Sequence, residues 1–325
     1  MVYNNNSHEF YNLIYNLVER NGMSYNILII GGTGSLGSEL TRYYNNEGWN
    51  VTVLSRDGHK QQKLNMELPK VQFVLGDVCD EKTMRFALDG QHFVVNCAAQ
   101  KIVHQGEKFV DEFIRVNIDG GLNVARCCYD MDIFNVLQIS SDKACEPINL
   151  YGKTKAVSED IFRSYGFSSL RYGNVVNSNG SFWSIWKQQI ANGDKITIRT
   201  PYPTRFILTI KDAVALVDDA LSLLHNLDAP SIGSVYVPHS LSAFSIDSVA
   251  RALGIVDWIE KPLLSGEKVH EKLVADIETG YKISNLLMDI NKEGIGNLKH
   301  EDFNSNTVKR ITGKAFLATV GGLDG

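Results

Sequence analysis

The 325-residue sequence predicts an α/β fold, a doubly wound parallel sheet with a smaller, interleaved C-terminal lobe. Three observations carry this reading. Short apolar runs alternate with helix-compatible segments from Tyr25 to about Val176, as parallel strands joined by right-handed crossovers require. A glycine-rich turn follows the first of those runs and opens the first helical segment. Beyond Val176 the alternation weakens into loops, a helix and isolated strands, which suits a second lobe threaded through the first.

The elements follow in order. Phe10, Leu13, Ile14, Leu17 and Val18 keep helical spacing, and Asn21-Gly22 is a stop signal, so residues 1–22 read as a helical extension. It lacks a basic face, so it is expected to pack on the protein body or a neighbouring subunit rather than on lipid. The strands expected next are "NILII", "VTVL", "VQFVLGD", "HFVVNCAA", "NVLQIS" and "SSLRYGNVV". Between them "LGSELTRYYNNEG", "DEKTMRFALDG", "FIRVNIDGGLNVARCCYDMD" and "GKTKAVSEDIFRSYG" have helical patterns, several closed by glycine. Later, "IKDAVALVDDALSLLH" reads as a helix and "SVYVPHS" as a strand, while residues from about 276 onward show no interpretable pattern.

Composition narrows the function. A content of 44% aliphatic and aromatic residues supports a full core, and a net charge of -5 without a basic block argues against nucleic-acid or anionic-membrane binding. Neither a leader-like start nor a membrane-length apolar run is present, so a soluble, cytoplasmic protein is expected. The five cysteines form no CxxC pair and no cluster with histidine; reduced thiols and no metal site are expected.

In "ILIIGGTGSLGSEL", residues Gly31, Thr33, Gly34, Ser35, Leu36 and Gly37 form a turn whose glycines let a pyrophosphate approach a helix N-terminus. This makes the sheet a Rossmann-type dinucleotide-binding unit. An acidic residue ending the second strand would select NAD, whereas this chain has Ser55 and Arg56 there, with Lys60 close by, so NADP is expected. Asp77 and Val78, ending the third strand, are placed to meet the adenine. Ala98 and Ala99 end the fourth in side chains small enough for a ribose to approach. The reading divides the chain into the extension, an NADP-binding domain over 23–176, and a largely substrate-binding lobe over 177–325. Segments around 205–240 are expected to return to the first domain.

Tyr151 and Lys155 stand at i and i+4 on one helix face, where an ammonium and an oxidised nicotinamide would lower the phenol pKa toward general-base use. The spacing alone recurs by chance, but here it follows the fifth strand and comes ten residues after Ser141. Together these resemble the extended short-chain dehydrogenase/reductase family. That resemblance implies that Ser141 hydrogen-bonds a sugar hydroxyl, Tyr151 takes its proton, and Lys155 holds the tyrosine and the nicotinamide ribose. Asn117 resembles the asparagine that supports the lysine through water.

Asp142 and Lys143 add something that a plain reductase or epimerase does not use. After oxidation of C4 in a hexose, C5 is acidified; one group must remove that proton while another protonates the departing C6 hydroxyl. Lys143 suits the base if its pKa is lowered, and Asp142 the acid if its pKa is raised. The stretch "SSDKACEPINLYGKTK", with "SRDGHKQ", "LRYGNVVNSNGS", "PTRF" and "SGEKVHEKL", resembles the inverting UDP-N-acetylglucosamine 4,6-dehydratases over roughly residues 24 to 275. The resemblance implies a UDP-sugar substrate, tightly held NADP, inversion at C5, a role in surface-polysaccharide or nonulosonic acid biosynthesis, and a homo-oligomer, dimer or hexamer. It also implies that Arg171 to Val175 bridge the lobes, that Asn174 and Arg205 reach the diphosphate, that Glu267 reaches the uridine, and that Lys101 lies near the sugar. Ile102 and His104 depart from the family pattern beside Lys101, Ser141 stands for the usual threonine, Cys145 for an alanine, and Ile30 for a threonine. The competing readings are a UDP-sugar C4- or C5-epimerase and a non-catalytic NADP-binding regulator.

Overall fold

Six strands, β1 (Asn26–Ile30), β2 (Asn50–Ser55), β3 (Gln72–Leu75), β4 (Phe93–Asn96), β5 (Asn135–Ile139) and β6 (Ser168–Leu170), pair in parallel in the order 3-2-1-4-5-6. The strands come from a computed structural model that describes residues 24–325 except 107, 177–180, 226–232, 292–299 and 322–325. The helix expected over residues 10–22 lies outside the described residues. Helices α1 (Ser35–Asn46), α2 (Gly58–Glu67) and α3 (Glu81–Leu88) connect the first four strands, α4 (Gly120–Asp130) precedes β5, and α5 (Leu150–Ser164) precedes β6.

Near-continuous apolar strands need cover on both faces, and they have it. On one face Ile27, Ile29, Val51, Val53 and Leu137 pack with Leu36 and Leu40. On the other, Leu28, Ile30, Leu54, Val94 and Val136 pack with Val124, Cys127, Cys128 and Phe162. All five cysteines are free thiols. Helix α2 was not expected from the pattern, because Gln61 and Leu64 are its buried residues and little apolar periodicity results. Its start is fixed by Asp57, which accepts from the Lys60 N–H at 3.0 Å.

Beyond residue 176 the chain runs through α6 (Phe182–Ala191), β7 (Thr197–Thr200), β8 (Thr204–Ile207), α7 (Ile210–His225), β9 (Val235–Pro238), β10 (Ser242–Ser245), α8 (Ile246–Ala252) and β11 (Ile259–Pro262). It then forms β12 (Thr279–Lys282), β13 (Leu287–Asn291) and α9 (Gly313–Val320). Trp183, Trp186, Ile198, Phe244, Val249 and Phe316 make a separate second core. Segments alternate between the two bodies. Val214, Val217 and Leu221 of α7 pack under the main sheet, and β9 adds to β6 in parallel. The unpatterned tail also returns: β13 joins β9 and β12 joins β13, both antiparallel, to complete nine strands. The sequence "SSLRYGNVV" is a strand over three residues, after which the chain leaves the sheet and touches β8's exit through the Val175–Leu208 bridge.

Asp289, on β13, is buried with Oδ1 unpartnered, while Ser234 Oγ donates to Oδ2 at 2.6 Å. Burial raises its pKa from 3.8 to about 6. The folded state therefore binds this proton more tightly than the unfolded chain. Its contribution is full below about pH 4 and is lost as pH rises through about 6. Asp289→Asn is expected to stabilise the protein by up to about 3 kcal/mol at pH 8, seen as several degrees of thermal midpoint, with the gain shrinking toward pH 4. An equal midpoint for parent and variant at pH 8 would remove the carboxylate penalty from the account.

Among the described residues no helix is long and apolar enough to cross a membrane, and no metal-competent cluster of His, Cys, Asp or Glu is present.

Candidate active site

The strand order reverses between β1 and β4, and the crevice at that switch point lies beyond their carboxyl ends. Gly31 follows β1 with φ +77°, and a Cβ there would sit 2.9 Å from the Ala98 nitrogen that follows β4. At Gly37 a Cβ would lie 2.4 Å from the Gly31 carbonyl oxygen. Any larger residue would push α1 away from the turn. Gly34 precedes α1 as its N-cap without a side-chain cap, leaving first-turn N–H groups to face the crevice mouth. This bare backbone cradle fits a dinucleotide pyrophosphate. Leu36 is buried in the core beneath the cradle, while Thr33 and Ser35 stay partly exposed.

The expected adenosine contacts are placed less simply. Ser55 is buried and its hydroxyl accepts from Gln61 Nε2 at 2.9 Å. Arg56 Nη1 pairs with Glu112 at 3.0 Å and lies 3.7 Å from Asp77. Lys60 is paired with Asp57 at 3.1 Å. Asp77 accepts from the Cys79 N–H and from Arg115 at 2.9 Å. Val78 corrects an expectation, since its side chain packs into the core rather than into the crevice. Ala98 N–H donates to Asn96 Oδ1, and Ala99 is partly exposed beside it.

Asn117 lies in a π-helical turn, Arg115–Asp119, that interrupts the helix expected through this region. Its side chain accepts from Gln100 N–H at 2.7 Å and donates to Thr154 Oγ1 at 2.9 Å. Its direct hold is thus on the residue preceding Lys155 and on the strand-four loop, not on the lysine itself.

The chain after β5 forms a 3-10 turn, Asp142–Ala144, and then α5, whose N-cap Asn149 accepts from Gly152 N–H at 2.8 Å. A Cβ at Gly152 would lie 2.2 Å from the Lys143 carbonyl oxygen, so the residue after Tyr151 must be glycine for the turn to rest on the helix. This close seating brings the expected polar residues together. Ser141 Oγ donates to Asp142 Oδ1 at 2.9 Å, and Lys143 Nζ donates to the same oxygen at 3.0 Å and to Asn174 Oδ1 at 3.2 Å. Tyr151 is close enough to Lys143, Ser141 and Asp142 for all three to act on its phenol.

The electrostatics of this cluster correct one sequence expectation, a lowered Lys143 pKa. Burial raises the Tyr151 pKa, and the opposing effects of Lys143 and Ser141 do not reverse it. Lys155 Nζ donates to the Ile139 carbonyl oxygen, and burial lowers its pKa to about 8. Burial would lower Lys143 as well, but Asp142 and Glu271 outweigh it and hold the ammonium above its ordinary pKa. Asp142 is raised, as expected, chiefly by burial.

The second-lobe residues are split. Arg205 donates to the carbonyls of Thr204 and Val269 and its Nε lies 3.8 Å from Glu271. Glu267 closes its own turn by accepting from Leu264 N–H at 2.9 Å, and Lys101 is exposed on the loop beyond β4. Sequence reasoning missed Glu271, which is buried within 3.4 Å of Lys143 Nζ. Its neighbours His270 and Lys272 give it the look of a surface position. Also missed was the clamp around buried Arg171, which reaches Glu159 of α5 at 2.7 Å and Glu278 at 3.0 Å.

The polysaccharide biosynthesis protein family matches residues 27–290. An inverting UDP-N-acetylglucosamine 4,6-dehydratase of Campylobacter jejuni is 33% identical over 284 residues, covering 80% of this chain and 81% of that protein. A UDP-glucose 4-epimerase of Rickettsia felis is 32% identical over 320 residues, covering 88% of this chain and 92% of its own. Among solved structures, Pen from Bacillus thuringiensis superposes with a TM-score of 0.83 at 25% identity, covering 91% of this chain and 97% of that one. DesIV, a dTDP-glucose 4,6-dehydratase from Streptomyces venezuelae, has a TM-score of 0.66 at 18% identity over 75% of this chain and 86% of its own, a likeness of fold. The matched span, the cradle at the β1–β4 switch point and the Ser-Asp-Lys turn seated on the Tyr-Lys helix make this chain a member of the polysaccharide biosynthesis protein family, within the extended short-chain dehydrogenases/reductases.

Proposed function

We propose that the chain is an NADP-dependent 4,6-dehydratase of a UDP-N-acetylhexosamine, UDP-N-acetylglucosamine in the first instance, that inverts C5. The observation that carries this reading is the pair of buried Asp142 and partly buried Lys143, 3.0 Å apart and seated beside Tyr151. A dinucleotide whose pyrophosphate lies in the glycine cradle would supply a nicotinamide that accepts hydride from C4 and returns it to C6. Tyr151 takes the C4 hydroxyl proton, with Ser141 orienting the hydroxyl. Lys155 lies one turn along the same helix face to hold the ribose.

Elimination falls to the pair. In the state where Asp142 is protonated and Lys143 is an amine, Lys143 takes the C5 proton and Asp142 gives its own to the departing C6 oxygen, which leaves as water. The ammonium and carboxylate so formed reset by passing one proton across the 3.0 Å contact. A solvent proton then returns to C5 from the opposite face. Asn174, Arg205, Glu267 and Lys101 are the proposed contacts to the diphosphate, uridine and sugar, with Arg205 suited to phosphate oxygens.

NADP preference rests on Arg56 and Lys60. Both are paired with exposed carboxylates that a 2′-phosphate can replace. Arg56→Ala is expected to weaken NADP binding by about 10- to 100-fold with little change for NAD, checked by titration of both nucleotides. Equal losses for the two would move the specificity elsewhere.

The deciding experiment is incubation of the purified protein with UDP-N-acetylglucosamine and mass analysis of the sugar nucleotide. A product lighter by one water supports the dehydratase. The similarity to UDP-glucose 4-epimerases favours a second reading, in which an isomer of unchanged mass appears. No conversion at all would leave a nucleotide-binding protein without catalysis.

A further inference from the structure

We propose that Glu271 is a positioning residue for Lys143: its carboxylate, delivered by the second lobe, fixes the lysine beside Asp142, so that proton removal at C5 depends on how the two lobes are packed. The inference rests on the elimination chemistry proposed above and extends it to a residue outside the Ser-Asp-Lys-Tyr-Lys set.

The geometry is that of a tripod. An ammonium has three N–H donors, and Lys143 has three acceptors around it from three separate segments. These are Asp142 Oδ1 at 3.0 Å on its own turn, Asn174 Oδ1 at 3.2 Å on the segment leaving β6, and Glu271 Oε1 at 3.4 Å on the second lobe. Glu271 is 2% exposed, too buried to be a solvated surface carboxylate. It is also tied down: its backbone N–H donates to Ser305 Oγ at 2.8 Å, and Ser305 N–H donates back to the Glu271 carbonyl. A carboxylate in so little water stays charged because Lys143, Arg205 and Lys268 surround it, and these hold it below the usual carboxylate range against the effect of burial. Each of Asp142 and Glu271 also keeps one buried oxygen without a protein partner.

The effect on Lys143 has a definite sign. The groups that face it are Asp142 and Tyr151 on the first domain, and Glu271 and Arg205 on the second lobe. Asp142 and Glu271 favour the ammonium, while Arg205 opposes it. Taking the charge from Glu271 therefore makes Lys143 a weaker base. The fraction present as amine rises at a given pH, but each amine takes the C5 proton less readily.

The test compares the parent with Glu271→Gln and Glu271→Asp, measuring dehydration rate against pH, KM for UDP-N-acetylglucosamine, and thermal unfolding. Glu271→Gln is expected to lower the plateau kcat above the acid limb by about tenfold or more with a small change in KM, and to move that limb of the kcat profile to lower pH. Glu271→Asp, which keeps the charge, is expected to leave that limb near its parental position. An unmoved limb in Glu271→Gln, or a limb moved equally in both variants, overturns the proposal. So does a raised KM at unchanged kcat, which would assign Glu271 to substrate binding through Arg205. A parent that forms no dehydrated sugar instead overturns the dehydratase reading, and does so before any variant is made.

Discussion

Replacing Lys143 by methionine is expected to abolish dehydration while sparing the first oxidation. The side chain keeps most of its length, but the group facing C5 loses its capacity to take a proton. The rate of keto-sugar formation should fall by about 10²–10⁴-fold, the usual effect of removing a positioned base. C4 oxidation needs Tyr151, Lys155 and the nucleotide, so addition of UDP-N-acetylglucosamine should still generate the near-ultraviolet absorbance of reduced nicotinamide. The substitution also leaves two buried carboxyl groups, Asp142 and Glu271, without their shared cation. Asp142 would hold its proton more tightly, while Glu271 keeps only Arg205 and Lys268 beside it, so thermal unfolding must be measured beside the rate. Dehydration within a few-fold of the parent rate would reduce the pair to a loop ion pair.

Tyr151→Phe should stop the sequence one step earlier. Neither reduced nicotinamide nor dehydrated product is expected, with UDP binding unchanged, because the phenol oxygen is the proposed acceptor of the C4 hydroxyl proton. Burial raises the Tyr151 pKa, so phenolate becomes available as pH rises. The parent's C4 oxidation is therefore expected to quicken from neutral toward alkaline pH. Comparable oxidation by the phenylalanine variant would exclude Tyr151 as the base.

What could be read from the sequence was local. The glycine turn after β1 and the Tyr-Lys helix after β5 depend on short spacings, and the parallel sheet followed from strand and helix alternation. What escaped was contact across long stretches of chain. Glu271 meets Lys143 because the second lobe folds back onto the catalytic turn, and Arg56 meets Glu112 across the crevice. The short spans of β12 and β13 gave little pattern, yet they complete the sheet by pairing with β9. The Lys143 pKa expectation failed for a related reason. It weighed burial and nearby cations but not the Asp142 and Glu271 carboxylates that outweigh them.

The repeated crossing of the chain between its two bodies has a mechanical consequence. Enzymes that swallow their substrates by bending do so at a hinge of a few residues. Here the chain passes between the bodies near residues 176, 208, 240 and 278 and again between β13 and α9, and buried Arg171 rivets α5 to Glu278 beside one of these crossings. A rigid-body swing would have to pull on all of these connections at once. The bite of this enzyme is therefore set when it folds, and a substrate must enter by the yielding of loops rather than by the opening of a jaw.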